Sequence, residues 1–320
     1  MTSPLEGNVG QLRTQGARRL QAGERPDGAQ LDLGSWRVTE RSVEAYLGAV
    51  GDTLALYFEL GLAPPIALAA GALGALLQHL DLPPGAVHSF QEIEALGPVP
   101  FGVEVTGTAS LSPPRRRGNL EFITAGFTLR EGKGRQVLSG KSTVLVAPLR
   151  FSSSGGSGPG AGETHPDSGY PASTGPASTG PASTGKEDTP TSRGLPKLVK
   201  TISQAQLNAY AQASGDYNPL HLDPGFAAKT QFGGVIAHGM LTLAFISEMM
   251  AEGFGRPWLE TGTLNVRFKG AAYLEDQVTT WGRVTKEGPL PQERRIVCAV
   301  GLRNLAKGRD LINGTANVIL

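Results

Sequence analysis

TISQAQLNAYAQASGD (residues 201–216) and TERSVEAYLGAVGD (residues 39–52) carry one pattern twice. Each begins with a hydroxyl residue suited to a helix cap, continues in a helical apolar rhythm with an aligned tyrosine, and ends in Gly-Asp. Each is followed by an apolar segment: IALAAGALGALL (66–77) in the first half and HGMLTLAFISEMM (238–250) in the second. Strand-like stretches come next in both halves. The first gives HSFQEIEAL, GVEVTGTASL, NLEFITAGFTLR and VLSGKSTVLV; the second gives LNVRF, DQVTTWGRV, ERRIVCAVGLRN and LINGTANVIL. Several alternate with period two, as half-buried antiparallel strands do. A long buried helix followed by antiparallel strands predicts a sheet wrapped around a helix. Two such units predict a duplicated α+β chain whose halves form a pseudo-twofold pair.

Between the halves the composition changes. From Phe151 onward Ser, Gly, Pro and Thr dominate, and PASTG occurs at 171–175, 176–180 and 181–185. Such a stretch buries too little apolar surface to offset its ordering entropy. We expect a tail over 1–30, a first domain over 31–150, a flexible linker over 151–195 and a second domain over 196–320. Within the linker, GPASTGKE (180–187) approaches a phosphate-binding loop, but Glu187 stands where a hydroxyl residue would hold magnesium, and no strand precedes it.

The composition excludes several classes. The 320 residues are 39% hydrophobic and 18% charged, with a net charge of +1 from 29 basic and 28 acidic side chains. That balance lacks the basic excess of a nucleic-acid binder. The single cysteine, Cys298, leaves no intrachain disulfide and argues for a reducing, cytoplasmic setting. The arginine-bearing N-terminus has no apolar core of a secretory signal. The run at 66–77 is too short to cross a bilayer, so no membrane association is expected.

The chemistry sits in SGDYNPLHLD, residues 214–223. Asp216 and His221 are five residues apart. A helix would rotate them by about 500°, and a strand would point them to opposite faces. The Asn218-Pro219 corner supplies the bend that lets them converge. His221 has the intrinsic pKa of a base near neutrality. Asp216 can hold the same water and return its proton, or orient the imidazole. Asn218 reads as orienting water or bracing Asp216. Gly239 stands where the second apolar helix begins, so its N–H at the positive end of the helix suits it to polarise a carbonyl. Asp223, before Pro224, reads as the cap of the short helix GFAAK, and His238 as a helix cap or a hydrogen-bond partner of a loop. Asp216, His221 and Asp223 could be imagined around a metal, but no H-E-x-x-H or cysteine pair accompanies them, and no metal is expected.

SGDYNPLHLDPGFAAKTQFGGVIAHGM resembles the signature of MaoC-like, (R)-specific enoyl-CoA hydratases, also called hydratase 2. Gly215-Asp216, Asn218-Pro219, His221, Asp223-Pro224, Ala227 and His238-Gly239 match that pattern. The resemblance covers the second half closely and the first half only in layout. It implies a double hot-dog fold and an intrachain pseudo-dimer, with further homo-oligomerisation left open. It also implies an Asp216/His221 dyad that adds water to a trans-2-enoyl thioester, with Asn218 and Gly239 as substrate-binding residues. No cofactor is implied beyond the coenzyme A of the acyl-CoA substrate itself. Alternatives in the same fold are a dehydratase of 3-hydroxyacyl-carrier-protein or of a branched or dicarboxylic acyl-CoA, a thioesterase, and a non-catalytic acyl-thioester binding module. Opposite Asp216 and His221, the first half has Asp52 and Tyr57, with Leu54-Ala55 in place of Asn-Pro. A phenol is a poor base at neutral pH, so one active site is expected, in the second half. The small residues around Gly71 and Gly74 could leave a tunnel for an acyl chain or serve close helix–sheet packing with no cavity, two readings of equal weight. Arg267 and Lys269, and less so Arg115–Arg117, are candidates for the coenzyme A phosphates. The pattern departs after VRFKG, where AAYLEDQV keeps only Asp276.

Overall fold

The computed structural model describes residues 28, 30–83, 85–146, 194–288 and 294–320. The PASTG repeats, GPASTGKE and nearly all of the expected N-terminal tail lie outside the described residues. In the first half β1 (Gln30–Arg37), α1 (Glu40–Val50), α2 (Leu56–Leu60) and α3 (Pro65–His79) precede β2 (Val87–Ala95), β3 (Glu104–Leu111), β4 (Arg115–Arg117), β5 (Leu120–Glu131) and β6 (Gln136–Val146). The second half runs β7 (Val199–Thr201), α4 (Gln204–Ser214), α5 (Pro219–Leu222), α6 (Pro224–Ala227), α7 (Gly239–Phe254) and α8 (Arg256–Thr261). It continues with β8 (Thr263–Phe268), β9 (Gln277–Glu287), β10 (Arg295–Asn304) and β11 (Asp310–Ile319).

The sheet order is β1-β3-β5-β6-β2-β8-β11-β10-β9-β7, with β4 hairpinned onto β5. Read outward from its centre, the order repeats: β2 and β8 meet, then β6 and β11, β5 and β10, β3 and β9, β1 and β7. The halves join through antiparallel pairing of β2 with β8, from Phe90 opposite Arg267 to Glu94 opposite Thr263. The expected pseudo-dimer is therefore one continuous antiparallel sheet. Helix α3 packs on β1, β2 and β6, helix α7 on β9 and β10, and the two helices touch each other. Both are buried almost throughout, from Pro65 to Leu76 and from Met240 to Ala251. All-round burial explains why these helices are apolar on every face.

The repeated helices α1 and α4 begin as their sequences foretell. Thr39 caps α1 by accepting from the Ser42 N–H, and Ser203 caps α4 by accepting from the Gln206 N–H. Each ends at a glycine in the left-handed region, Gly51 (φ 68°) and Gly215 (φ 77°), a conformation that favours glycine. The aligned tyrosines meet, with Tyr46 and Tyr210 ring centroids 6.1 Å apart.

The expected boundaries move slightly. Strand β1 starts at Gln30, inside the expected tail, and Leu195 already donates its N–H to Gly282 O of the second half's sheet. Among the described residues, no helix is long and apolar enough to cross a membrane.

Candidate active site

Gly215 turns the chain out of α4, and Asp216 begins the bend. Its Oδ1 accepts from the Asn218 N–H at 3.2 Å, and Asn218 Oδ1 in turn accepts from the Leu220 N–H at 3.1 Å. Asn218 is extended (φ −57°, ψ 124°) and Pro219 is the first residue of α5, so the corner launches one helical turn that carries His221. The bend thus brings Asp216 and His221 to one place, as their spacing predicts.

His221 is 6% exposed, and its Nδ1 lies 2.8 Å from the Ile236 carbonyl oxygen. A carbonyl can only accept, so Nδ1 carries the proton and Nε2 keeps a lone pair. Burial lowers the His221 pKa from 6.5, with the Asp216 carboxylate opposing that shift. The ring is therefore neutral and basic at pH 7. Potential ligand atoms of Asp216, His221 and His238 all lie within 4.8 Å of one another. Asp223, the third member of the conceivable metal set, is elsewhere engaged: its Oδ1 caps α6 by accepting from the Phe226 N–H at 3.0 Å.

Asp216, Asn218, His221 and Gly239 line one cavity of about 680 Å³ between the two halves. The first half supplies the apolar wall, including Leu73, Leu77, Leu80, Leu82, Val87 and Val144. His88 also lines it, stacked on Phe268 at 4.8 Å and held by burial near pKa 4, so it too is uncharged at pH 7. Gly239 opens α7 against this wall. A Cβ there would lie 3.0 Å from the His88 Cβ and 3.1 Å from Phe268 Cε1, so the glycine permits close packing as well as exposing a helix N-terminal N–H.

Several expectations need correcting. Asn218 lines the cavity, but its amide is engaged at both ends: Oδ1 holds the Leu220 N–H, and Nδ2 donates to Ala86 O at 3.0 Å. It staples the bend to the first half, which favours the bracing reading over the water-orienting one. The glycines of α3 form no tunnel. A Cβ on Gly74 would stand 1.9 Å from the Ser214 carbonyl oxygen, so this position lets α3 pack on the end of α4. Gly71 is buried and does not line the cavity. Gly74→Ala should therefore destabilise the fold by about 1–3 kcal/mol, through overpacking. It should slow short and long substrates alike, as urea unfolding and steady-state rates would show. Arg267 and Lys269 are exposed and do not line the cavity; the Arg267 guanidinium lies 5.7 Å from the Phe90 ring. Arg115–Arg117 form the exposed strand β4, with Arg116 3.8 Å from Glu121. His238 makes no side-chain cap bond; of its two readings the loop hydrogen bond is the one present, from Nε2 to Asp216 O at 3.1 Å.

The matching place in the first half keeps the turn without the base. Asp52 Oδ1 accepts from the Leu54 N–H at 3.0 Å, as Asp216 does from Asn218. Where His221 would be, the Tyr57 hydroxyl donates to Asp52 Oδ2 at 2.8 Å. Both side chains are buried, burial raises both pKa values, and neither lines the cavity. Beside them Lys200 reaches across from β7. Its ammonium donates to Gly51 O at 2.5 Å and lies 2.8 Å and 2.9 Å from the Glu248 carboxylate oxygens. Nothing in the local sequence signals this pair, because its members come together only through packing.

Comparison with known proteins agrees with this architecture. The profile of the MaoC like domain matches residues 188–301. The (R)-specific enoyl-CoA hydratase of Rhodospirillum rubrum is 32% identical over 127 residues, spanning 38% of this chain and 83% of that protein. A solved MaoC-like dehydratase superposes with a TM-score of 0.68 at 19% identity, covering 92% of this chain and 98% of its own. A Mycobacterium tuberculosis protein described as having a double hotdog fold gives a TM-score of 0.60 at 11% identity, covering 92% and 96%. The fold is thus a double hot-dog, and the protein is a hydro-lyase. The chain belongs to the MaoC-like family.

Proposed function

We propose that this chain reversibly hydrates a trans-2-enoyl-CoA to the (3R)-hydroxyacyl-CoA. The observation that carries the reading is the meeting of a carboxylate and a neutral imidazole on one wall of a cavity whose other wall is apolar. His221 Nε2 accepts a proton from a water whose other O–H is held by Asp216. The water oxygen bonds to C3, and the π pair moves toward C2 and the thioester oxygen. The Gly239 N–H steadies that oxygen, a role typically worth about 3–4 kcal/mol. The imidazolium then gives its proton to C2, which restores neutral His221 and places both added groups on one face. The second half supplies this chemistry, the first half receives the acyl chain, and the substrate brings the only coenzyme.

The lining distinguishes among acyl groups. Among the described residues the acidic side chains in the lining are Asp81 and Asp216, and no described Lys or Arg faces the cavity. A chain ending in a carboxylate would bury that charge without a partner. We expect kcat/KM for an ω-carboxy enoyl-CoA to fall at least tenfold below that of the alkyl chain of equal length. This disfavours the dicarboxylic alternative. The reading itself is tested by following loss of the conjugated double bond over a panel of enoyl-CoA thioesters, with chiral analysis of the alcohol. Hydration to the 3R product supports it. Release of free thiol would indicate a thioesterase, and tight binding without turnover would indicate an acyl-thioester binding module.

A further inference from the structure

We propose that His238 is a positioning residue for the Asp216/His221 pair, an inference that rests on the dyad reading above. His238 is 1% exposed and does not line the cavity, so it does not touch substrate. Its ring lies 4.0 Å from the His221 ring at a tilt of 34°, and Tyr210 packs against it at 4.9 Å. Its Nε2 is 3.1 Å from the Asp216 backbone carbonyl, which only accepts, so Nε2–H is the donor. The residue is also bonded directly to Gly239, the first residue of α7. One side chain therefore backs the face of the base, ties down the backbone that carries the acid, and adjoins the glycine whose N–H faces the thioester.

The chemistry of the ring supports a polar role over a merely space-filling one. His238 Nδ1 is buried and finds no hydrogen-bond partner among the described residues. A phenylalanine would fill the same space without leaving a buried acceptor unpaired, which normally destabilises. What the imidazole adds is the N–H held to Asp216 O. Without it, the carbonyl loses its donor and the Asp216 backbone can drift relative to the His221 ring. Displacements of about 1 Å are enough to cost catalysis about 10²-fold.

The test compares His238→Phe and His238→Gln with wild type, His221→Ala and Asp216→Asn, using a trans-2-enoyl-CoA. Phenylalanine keeps the ring and removes the N–H. We expect kcat to fall 10- to 100-fold with KM within threefold, and the folded fraction unchanged by circular dichroism. Glutamine offers an amide N–H to the same carbonyl and should recover at least fivefold of that loss. Wild-type kcat in His238→Phe would overturn the inference, as would a rise in KM alone. Failure of both variants to fold would also overturn it, because His238 would then be structural. If His221→Ala and Asp216→Asn keep their rate, the dyad reading fails. If they lose it while His238→Phe does not, only this inference fails.

Discussion

His221→Ala should fold like wild type and lose about 10²–10⁴-fold in kcat, the range a positioned general base supplies. The fold should survive because the side chain gives up a single polar contact, to Ile236 O, in a region bounded by the cavity. The pH dependence carries a sign that separates this base from an ordinary imidazole. Burial lowers the His221 pKa from 6.5, so the neutral ring persists to lower pH and the acid limb of kcat/KM lies below 6.5. The Asp216 carboxylate raises the His221 pKa against that trend. In Asp216→Asn this support is gone, so the acid limb moves lower still while the rate drops. A rate profile over a pH series, for wild type and this variant, reads both effects together. An acid limb above 6.5 in wild type would place a different group in the base's role.

Lys200→Met should cost about 3–5 kcal/mol of folding stability at pH 8, the range for breaking a buried ion pair by removing one partner. The Lys200 side chain is 16% exposed and that of Glu248 6%, so the remaining carboxylate would have little access to water. Burial raises the Glu248 pKa from 4.5 to about 7, with Lys200 opposing that rise. Between those two values the folded chain holds this proton more tightly than the unfolded chain. Its contribution to stability is therefore present at low pH and is lost as pH rises toward 7. Losing Lys200 pushes the pKa further up, so the variant should be hurt less at pH 5.5 than at pH 8. Lys200→Met with Glu248→Met should recover much of the loss, since an apolar pair leaves no buried charge behind. Urea unfolding at the two pH values measures all of this. Equal destabilisation at both would contradict the account of Glu248.

The pair also explains what the first half has become. Asp52 and Tyr57 keep the frame of the turn, and Lys200 adds a cross-half bond at Gly51 O. The place that would hold a second dyad is occupied by buried, mutually bonded polar groups. This fits a chain with one catalytic half and one half that shapes the cavity.

The duplication was readable because its signals are local. Thr39 and Ser203 cap within three residues, and Gly51 and Gly215 terminate their own helices. The meeting of Asp216 and His221 was readable for the same reason: six residues with a proline corner hold both side chains. Strand β1 was missed because a register shift between Asp32 and Gly34 breaks its alternation, and β7 because an edge strand of three residues carries no period. What sequence could not show is what packing brings together. His238 lies 17 residues beyond His221, yet their rings meet. Asn218 Nδ2 finds its acceptor at Ala86, 132 residues away. The apolar wall comes from the half that the motif does not cover. Gly74 could not be decided from sequence because a small side chain can signal either a void or a close approach, and only the position of Ser214 O decides.

The most direct test of the central claim, that Asp216 and His221 serve one water, is a double-mutant cycle on kcat for enoyl-CoA hydration. Groups acting as a unit are strongly non-additive. The account predicts that Asp216→Asn combined with His221→Ala is about as slow as the slower single variant. A double variant whose loss equals the product of the two single losses would mean that the two side chains act independently, and would contradict it.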